Sequence, residues 1–125
     1  MSAEKPERLD TARLRDEPNL WLATTRRDGR PHLTPIWFVF VEGRFYVCTT
    51  STAVKTRNVR ANAVASVSLE SGNQPIIAEG TANVIERPYP ASVAAEFLRK
   101  FDWDLDSEPE YDVLIEVVPN RWLRW

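Results

Sequence analysis

The stretch Pro31-His32-Leu33-Thr34-Pro35-Ile36-Trp37-Phe38-Val39-Phe40-Val41 reads as one long β-strand. Its two faces decide what the rest of the chain has to build. Side chains alternate across a strand, so His32, Thr34, Ile36, Phe38 and Phe40 share one face, and Leu33, Pro35, Trp37, Val39 and Val41 the other. A sheet covered on one side alternates apolar with polar residues. Here both faces are apolar from Pro35 onward. One face can fill a barrel interior; the other then needs a ligand ring, a helix or a second subunit over it. Pro35 lacks a ladder N–H and belongs at an edge or a bulge. Two readings follow: a plain edge strand with a bulge, or a break that frees the backbone groups of Ile36 and Trp37 to bond a ligand.

Working outward, residues 19–26 have strand composition, and Asp28-Gly29 turns them into the quoted strand. Glu42-Gly43 turns it again into a strand over 44–49, because glycine supplies the positive φ of tight hairpins. The result is an antiparallel meander in which Trp21, Trp37 and Tyr46 share one sheet. Before it, residues 6–16 read as a short charged helix. After it come a helix over 53–61, a strand over 63–69, and a long strand over 75–85 with a bend at Gly80. A helix over 89–101 follows, with Val93, Ala94, Phe97, Leu98 and Phe101 forming its apolar stripe. Residues 102–110 form an acidic loop. A strand over 111–118 ends at Pro119, and 120–125 close the chain as a last strand. The expected fold is mainly β (α+β): a six- to seven-stranded antiparallel split β-barrel with short peripheral helices.

The 125 residues make one domain, 1–125, long enough for one core but small enough that a partner subunit could matter. A net charge of −2 provides no general attraction to nucleic acid or to a membrane surface. The longest apolar run, 36–41, is far short of a membrane span, and the first residues lack a signal-peptide core. A single cysteine, Cys48, excludes an internal disulfide and fits a reducing cytoplasm; inside a strand it reads as a buried, inert thiol. With one histidine, His32, a histidine-rich metal site or a Cys–His dyad is not expected, and a hydrogen-bonded structural histidine is the default. Asp102, Asp104, Asp106 and Glu108 lack the glycine and terminal glutamate of a calcium loop and read as solvated. Trp103 among them is either a lid or an anchor, with the anchor preferred.

The chemistry concentrates in Thr49-Thr50-Ser51-Thr52-Ala53-Val54-Lys55-Thr56-Arg57-Asn58. Four hydroxyl residues at a strand-to-helix junction are N-cap material. A helix start suits an anion, and Lys55 and Asn58, three apart, share a face there, with Arg57 able to curl back. This is a candidate phosphate cradle; a capped surface helix with solvated charges is the plainer alternative.

The order of motifs carries a resemblance. Leu22-Ala23-Thr24-Thr25-Arg26-Arg27-Asp28-Gly29-Arg30 running into the quoted strand, then Phe45-Tyr46-Val47-Cys48-Thr49-Thr50, Lys55-Thr56-Arg57-Asn58-Val59-Arg60-Ala61-Asn62 and Ala78-Glu79-Gly80-Thr81-Ala82, resembles the pyridoxamine 5′-phosphate oxidase-like split-barrel family. More narrowly it resembles the flavin/deazaflavin oxidoreductases within that family, over residues 19–125. The resemblance implies a homodimer with FMN or the deazaflavin F-420 in grooves at the subunit interface. It places Lys55 and Asn58 on the cofactor phosphate, with Arg57 as helper. Cys48, Thr49, Thr50 and Ser51 would line the phosphate and ribityl chain, and Thr34, Pro35, Ile36 and Trp37 would lie along the ring. Segments 74–77 and 121–122 correspond to places that reach the partner's ring. Many members carry an arginine two residues before the lysine, where this chain has Ala53.

The implied activity is hydride transfer between the cofactor and an unidentified small molecule, with the protein orienting ring and substrate and no side chain acting as catalyst. Vitamin oxidation itself is disfavoured. F-420 has an anionic polyglutamate tail that needs a basic path, which Arg26, Arg27 and Arg30 around the first hairpin could offer; solvated turn charges are the alternative, and slightly preferred, reading of these three. The alternatives are a non-enzymatic barrel that binds, stores or senses FMN, F-420 or haem, and a single-strand nucleic-acid barrel, against which the net acidity argues.

Overall fold

The computed structural model describes residues 9–123. Its elements are α1 (Thr11–Asp16), β1 (Asn19–Thr25), β2 (Pro31–Trp37), β3 (Val39–Val41), β4 (Arg44–Thr49), α2 (Val54–Ala61), β5 (Val64–Leu69), β6 (Ile77–Ile85), α3 (Ala91–Phe101) and β7 (Val113–Trp122). A 3-10 turn, Leu105–Ser107, precedes β7. The part of the expected first helix before residue 9 and the chain beyond 123 lie outside the described residues.

All seven strands pair antiparallel in one sheet of order β2-β1-β5-β6-β7-β4-β3. Its two edge strands, β2 and β3, are consecutive in sequence and separated by Phe38 alone. The sheet therefore curls into a half-barrel whose edges are tied together at one residue. This corrects the expectation of an unbroken strand over 31–41: the first half pairs with β1 and the second with β4. The break falls at Phe38, not at Pro35, which stays in register opposite Trp21.

The hydrogen-bond alternation explains why Pro35 is tolerated. Phe38 N bonds to Pro18 O, and Arg26 N bonds to Arg30 O at the other end of the hairpin. In an antiparallel pair, bonded and non-bonded positions alternate. The even residues of β2 therefore bond to β1, while the odd ones turn their backbone groups to the open edge. Pro31 and Pro35 are odd, so their missing N–H groups leave no gap in the ladder. Trp37 presents its amide to the open edge; that of Ile36 faces β1, against the expectation that both are free.

The second hairpin is a two-residue turn in which Glu42 and Gly43 both have positive φ (52° and 81°), the geometry that matches strand twist. Phe38 and Phe45 face the barrel core with Leu20, Leu22, Val67 and Ile115. The opposite face of β3 and β4 carries Val39, Tyr46 and Cys48, which pack with Val93 and Phe97 of α3. A helix thus covers the second half of the two-faced stretch. Leu98 departs from the expected α3 stripe and is exposed. On the outer face of β2, Leu33 and Pro35 are exposed, and Trp37 is half-exposed.

Near Pro119 the structure again differs from expectation. β7 runs straight through it, because the register steps from Glu79–Arg121 to Gly80–Pro119 and leaves Asn120 as an extra residue. A bulge accepts proline, and Gly80 accepts the crowding: a Cβ there would lie 2.0 Å from Val118 O.

Candidate functional site

A cavity of about 540 Å³ opens where β2, β4 and α2 converge. The end of β2 supplies Pro35, Ile36 and Trp37; the end of β4 and the following loop supply Cys48, Thr49 and Thr50; Lys55 comes from α2. Trp103 and Tyr111 close the far side. Seven of the eleven residues expected around a cofactor therefore share one space.

Trp37 is held from behind. Its ring stacks on Phe101 at 4.5 Å, and Trp103 meets it edge-on at 6.1 Å. Trp103 Nε1 donates to Glu108 Oε1 at 3.2 Å and the ring packs on Tyr111 at 5.7 Å, so Trp103 is both anchor and cavity wall. Glu108 also accepts the amides of Glu110 and Tyr111, and those bonds hold its carboxyl below the usual range. Asp104 accepts from Asp106 N and Ser107 Oγ. The acidic loop uses two of its carboxylates to make its own turns.

Lys55 has no hydrogen-bonding or ion-pair partner among the described residues. Burial pushes its amine down from the ordinary value. Beside it, the first turn of α2 carries no side-chain cap, with Ala53 at the N-cap position. The expected capping by the four hydroxyls does not occur. Thr50 and Thr52 face each other at 3.5 Å. Ser51 gives its amide and hydroxyl to Asp112, at 2.8 and 3.1 Å. Ser51 is therefore a loop anchor and does not line the cavity. The open helix amides and the unpaired Lys55 remain, which together suit a phosphate.

Asn58 and Arg57 also depart from expectation. Asn58 is buried and donates to Thr24 Oγ1 at 3.1 Å, tying α2 to β1. Arg57 faces a second cavity of about 620 Å³ with Arg26, Arg27 and Arg60. Arg30 of the expected basic cluster is elsewhere, pairing with Asp28 at 2.8 Å. Arg60 went unnoticed in the sequence, although its spacing of three from Arg57 puts it on the same helix face. Tyr111 had no local signal. Thr34 lies on the inward face of β2, outside both cavities.

Cys48 is buried, and that burial pushes its thiol up to about 12, so it is an inert wall. Burial, with Arg26 and Lys55 nearby, holds His32 below its ordinary value. Its Nδ1 is buried without a partner, so it is not the hydrogen-bonded structural histidine expected. Trp122 is buried in the barrel core against Phe45 and Phe40.

The family model described as pyridoxamine 5′-phosphate oxidase matches residues 8–125. No curated protein matches the chain in sequence. Among solved structures, HutZ, the heme storage protein of Vibrio cholerae, is 24% identical with a TM-score of 0.74, over 97% of this chain and 92% of its own. An F-420 reductase is 22% identical with a TM-score of 0.72, over 95% and 98%. The conserved hypothetical protein Rv2991 from Mycobacterium tuberculosis is 23% identical with a TM-score of 0.72, over 92% and 82%. At such identities these likenesses speak to the fold alone.

Proposed function

The chain belongs to the pyridoxamine 5′-phosphate oxidase family, and we propose that it is an oxidoreductase that holds F-420, in preference to FMN, in the cavity between Trp37 and Lys55. The observation that carries this reading is the pairing of a flat aromatic wall with an unpartnered, half-buried Lys55 beside an uncapped helix start. A tricyclic ring fits the first and a phosphate the second.

The bound ring would supply the hydride chemistry. The protein's part is orientation. Trp37 gives the ring a face to lie against, and its open-edge backbone N–H and C=O meet the polar atoms on the ring's rim. Thr49 and Thr50 follow the ribityl hydroxyls, and Lys55 with the first amides of α2 meets the phosphate. Trp103 and Tyr111 exclude water from the open side. The arginine usual in the family at Ala53 is replaced in effect by this uncapped turn.

The second cavity favours F-420 over FMN. Four arginines line it, and Arg60 lies 3.6 Å from Glu86. A chain of carboxylates leaving the phosphate would run into it. FMN has nothing to place there. The uncovered apolar face over β2, β1 and β5, with Trp21, Leu33, Trp37 and Val64, is the surface expected to form a homodimer over the cofactor. No helix of the described residues is long and apolar enough to cross a membrane, and the free Cys48 fits a cytoplasmic setting.

Equilibrium dialysis against F-420 and FMN in parallel tests this reading. F-420 should be retained about tenfold more tightly, and Arg57→Gln with Arg60→Gln should remove the difference. Preference for FMN contradicts the choice of cofactor, and retention of neither contradicts the reading. Storage without turnover is the second reading, in line with the likeness to a heme storage protein. Repeated reduction and reoxidation of the bound cofactor with a small-molecule acceptor separates the two.

A further inference from the structure

Three rings of the first cavity meet in sequence at steep angles. Trp37 and Trp103 cross at 76° with centroids 6.1 Å apart, and Trp103 and Tyr111 at 71° and 5.7 Å. Trp37 is the wall against which a cofactor ring would lie. The corner between Trp103 and Tyr111 remains, on the side of the cavity away from α2, and Tyr111 is exposed there. Aromatic rings carry negative potential over their faces, so a corner of two rings attracts a cation.

Both rings come from residues 102–112, a segment with six carboxylates and no lysine or arginine. Two of those carboxylates are fixed beside the corner. Glu108 accepts Trp103 Nε1 and the Tyr111 amide, each at 3.2 Å. Asp112, next to Tyr111 in the chain, accepts Ser51 N and Oγ at 2.8 and 3.1 Å. Amide hydrogen bonds, from Glu110 and Tyr111 to the first and from Ser51 to the second, hold both carboxyls below the usual range and so charged at neutral pH. Neither forms an ion pair among the described residues. Arg87 is the cation that acts on both, and it donates to the carbonyls of Leu105, at 2.9 Å, and Glu108. At the end of α3, Lys100 turns to the carbonyls of Phe38 and Leu14, and Arg99 pairs with Glu96. One cation against six carboxylates leaves this end of the cavity negative, opposite in sign to the end at Lys55.

We propose that the corner between Trp103 and Tyr111 takes a small planar organic cation, a ring with its charge on nitrogen, as the second molecule of the cavity. The ring of that molecule packs on Trp103 and Tyr111, and its charge faces Glu108 and Asp112. A neutral ring of the same shape gains the packing alone, and an anionic one is repelled by the carboxylates. The inference rests on the preceding reading in one respect, that the end at Trp37 and Lys55 belongs to the cofactor; the cation is then the substrate class.

Calorimetric titration at neutral pH with three probes of one ring size tests this: N-methylquinolinium, a cation; quinoline, which is neutral; and 2-naphthoate, an anion. The wild-type chain should bind N-methylquinolinium at least about tenfold more tightly than quinoline, and 2-naphthoate most weakly. Raised salt should weaken the cation and leave quinoline unchanged. Asp112→Asn keeps an acceptor for Ser51 N and can donate to Ser51 Oγ, so it removes charge while the loop anchor stays. It should weaken the cation about threefold and leave quinoline unchanged, a difference that a merely structural role for Asp112 would not produce. Equal binding of the three probes, preference for the anion, or no binding of the cation to the wild-type chain overturns the proposal whether or not the variant folds. The chain loaded with F-420 should still take the cation; mutual displacement would place both at one end and overturn it. Cation preference in a chain that retains no F-420 would leave this inference standing and the proposed function failed; F-420 retained without cation preference would do the reverse.

Discussion

The rings of Trp37 and Phe101 lie 4.5 Å apart and within 8° of parallel. That contact joins the last residue of β2 to the last residue of α3, so the helix behind the barrel sets the aromatic wall of the cavity in front of it. Lys100, the next residue back, donates to Phe38 O at 2.8 Å and sits 3.8 Å over the Phe38 ring. The end of α3 therefore fixes both the break between β2 and β3 and the side chain beside it.

Phe101→Ala should loosen Trp37 without removing it. Such ring pairs contribute about 0.5–1.5 kcal/mol beyond area burial, so cofactor affinity should fall about three- to tenfold in a binding titration. Unchanged affinity would mean that Trp37 is oriented by something other than its stack on Phe101.

Gly80→Ala tests the bulge. The added Cβ would meet the backbone of Val118, which cannot yield as a flexible side chain would. Denaturant unfolding should show a loss of about 2–4 kcal/mol. A loss below about 0.5 kcal/mol would show that β6 and β7 can part at that point.

Lys100 should impose a pH dependence on stability. Burial pushes its amine from 10.5 to about 8 in the folded chain. Between those values the unfolded chain holds a proton that the folded chain has released, so this residue makes stability rise with pH across that window. Lys100→Met should flatten that rise in denaturant titrations. Parallel curves for the two proteins would rule the burial effect out.

Much of this was legible in the sequence where local chemistry decides. Asp28-Gly29 and Glu42-Gly43 named their turns, Gly80 named its bend, and the two apolar faces after Pro35 required a cover that α3 partly provides. The break at Phe38 was not legible, because alternation continues through it unchanged; only the pairing of each half with a different edge reveals it. Pro119 misled for a similar reason: its cost vanishes at a bulge created by Gly80, nearly forty residues away. In the candidate site, the spacing of Lys55, Arg57 and Asn58 gave the helix face but not the neighbours. Thr24 drew Asn58 into the core and Arg26 met Arg57 in the second cavity. The hydroxyl run looked like a cap, yet Asp112 lies sixty residues on and took Ser51.

The most direct test of the account is the dissociation constant of F-420 for the wild-type chain and for Lys55→Ala, followed by tryptophan quenching. Trp37 and Trp103, two of the five tryptophans, line the cavity and supply the quenched signal. Saturable quenching that weakens at least about tenfold in the variant is the predicted result. Quenching of equal affinity in both proteins, or none in either, would contradict a cofactor held between Trp37 and Lys55.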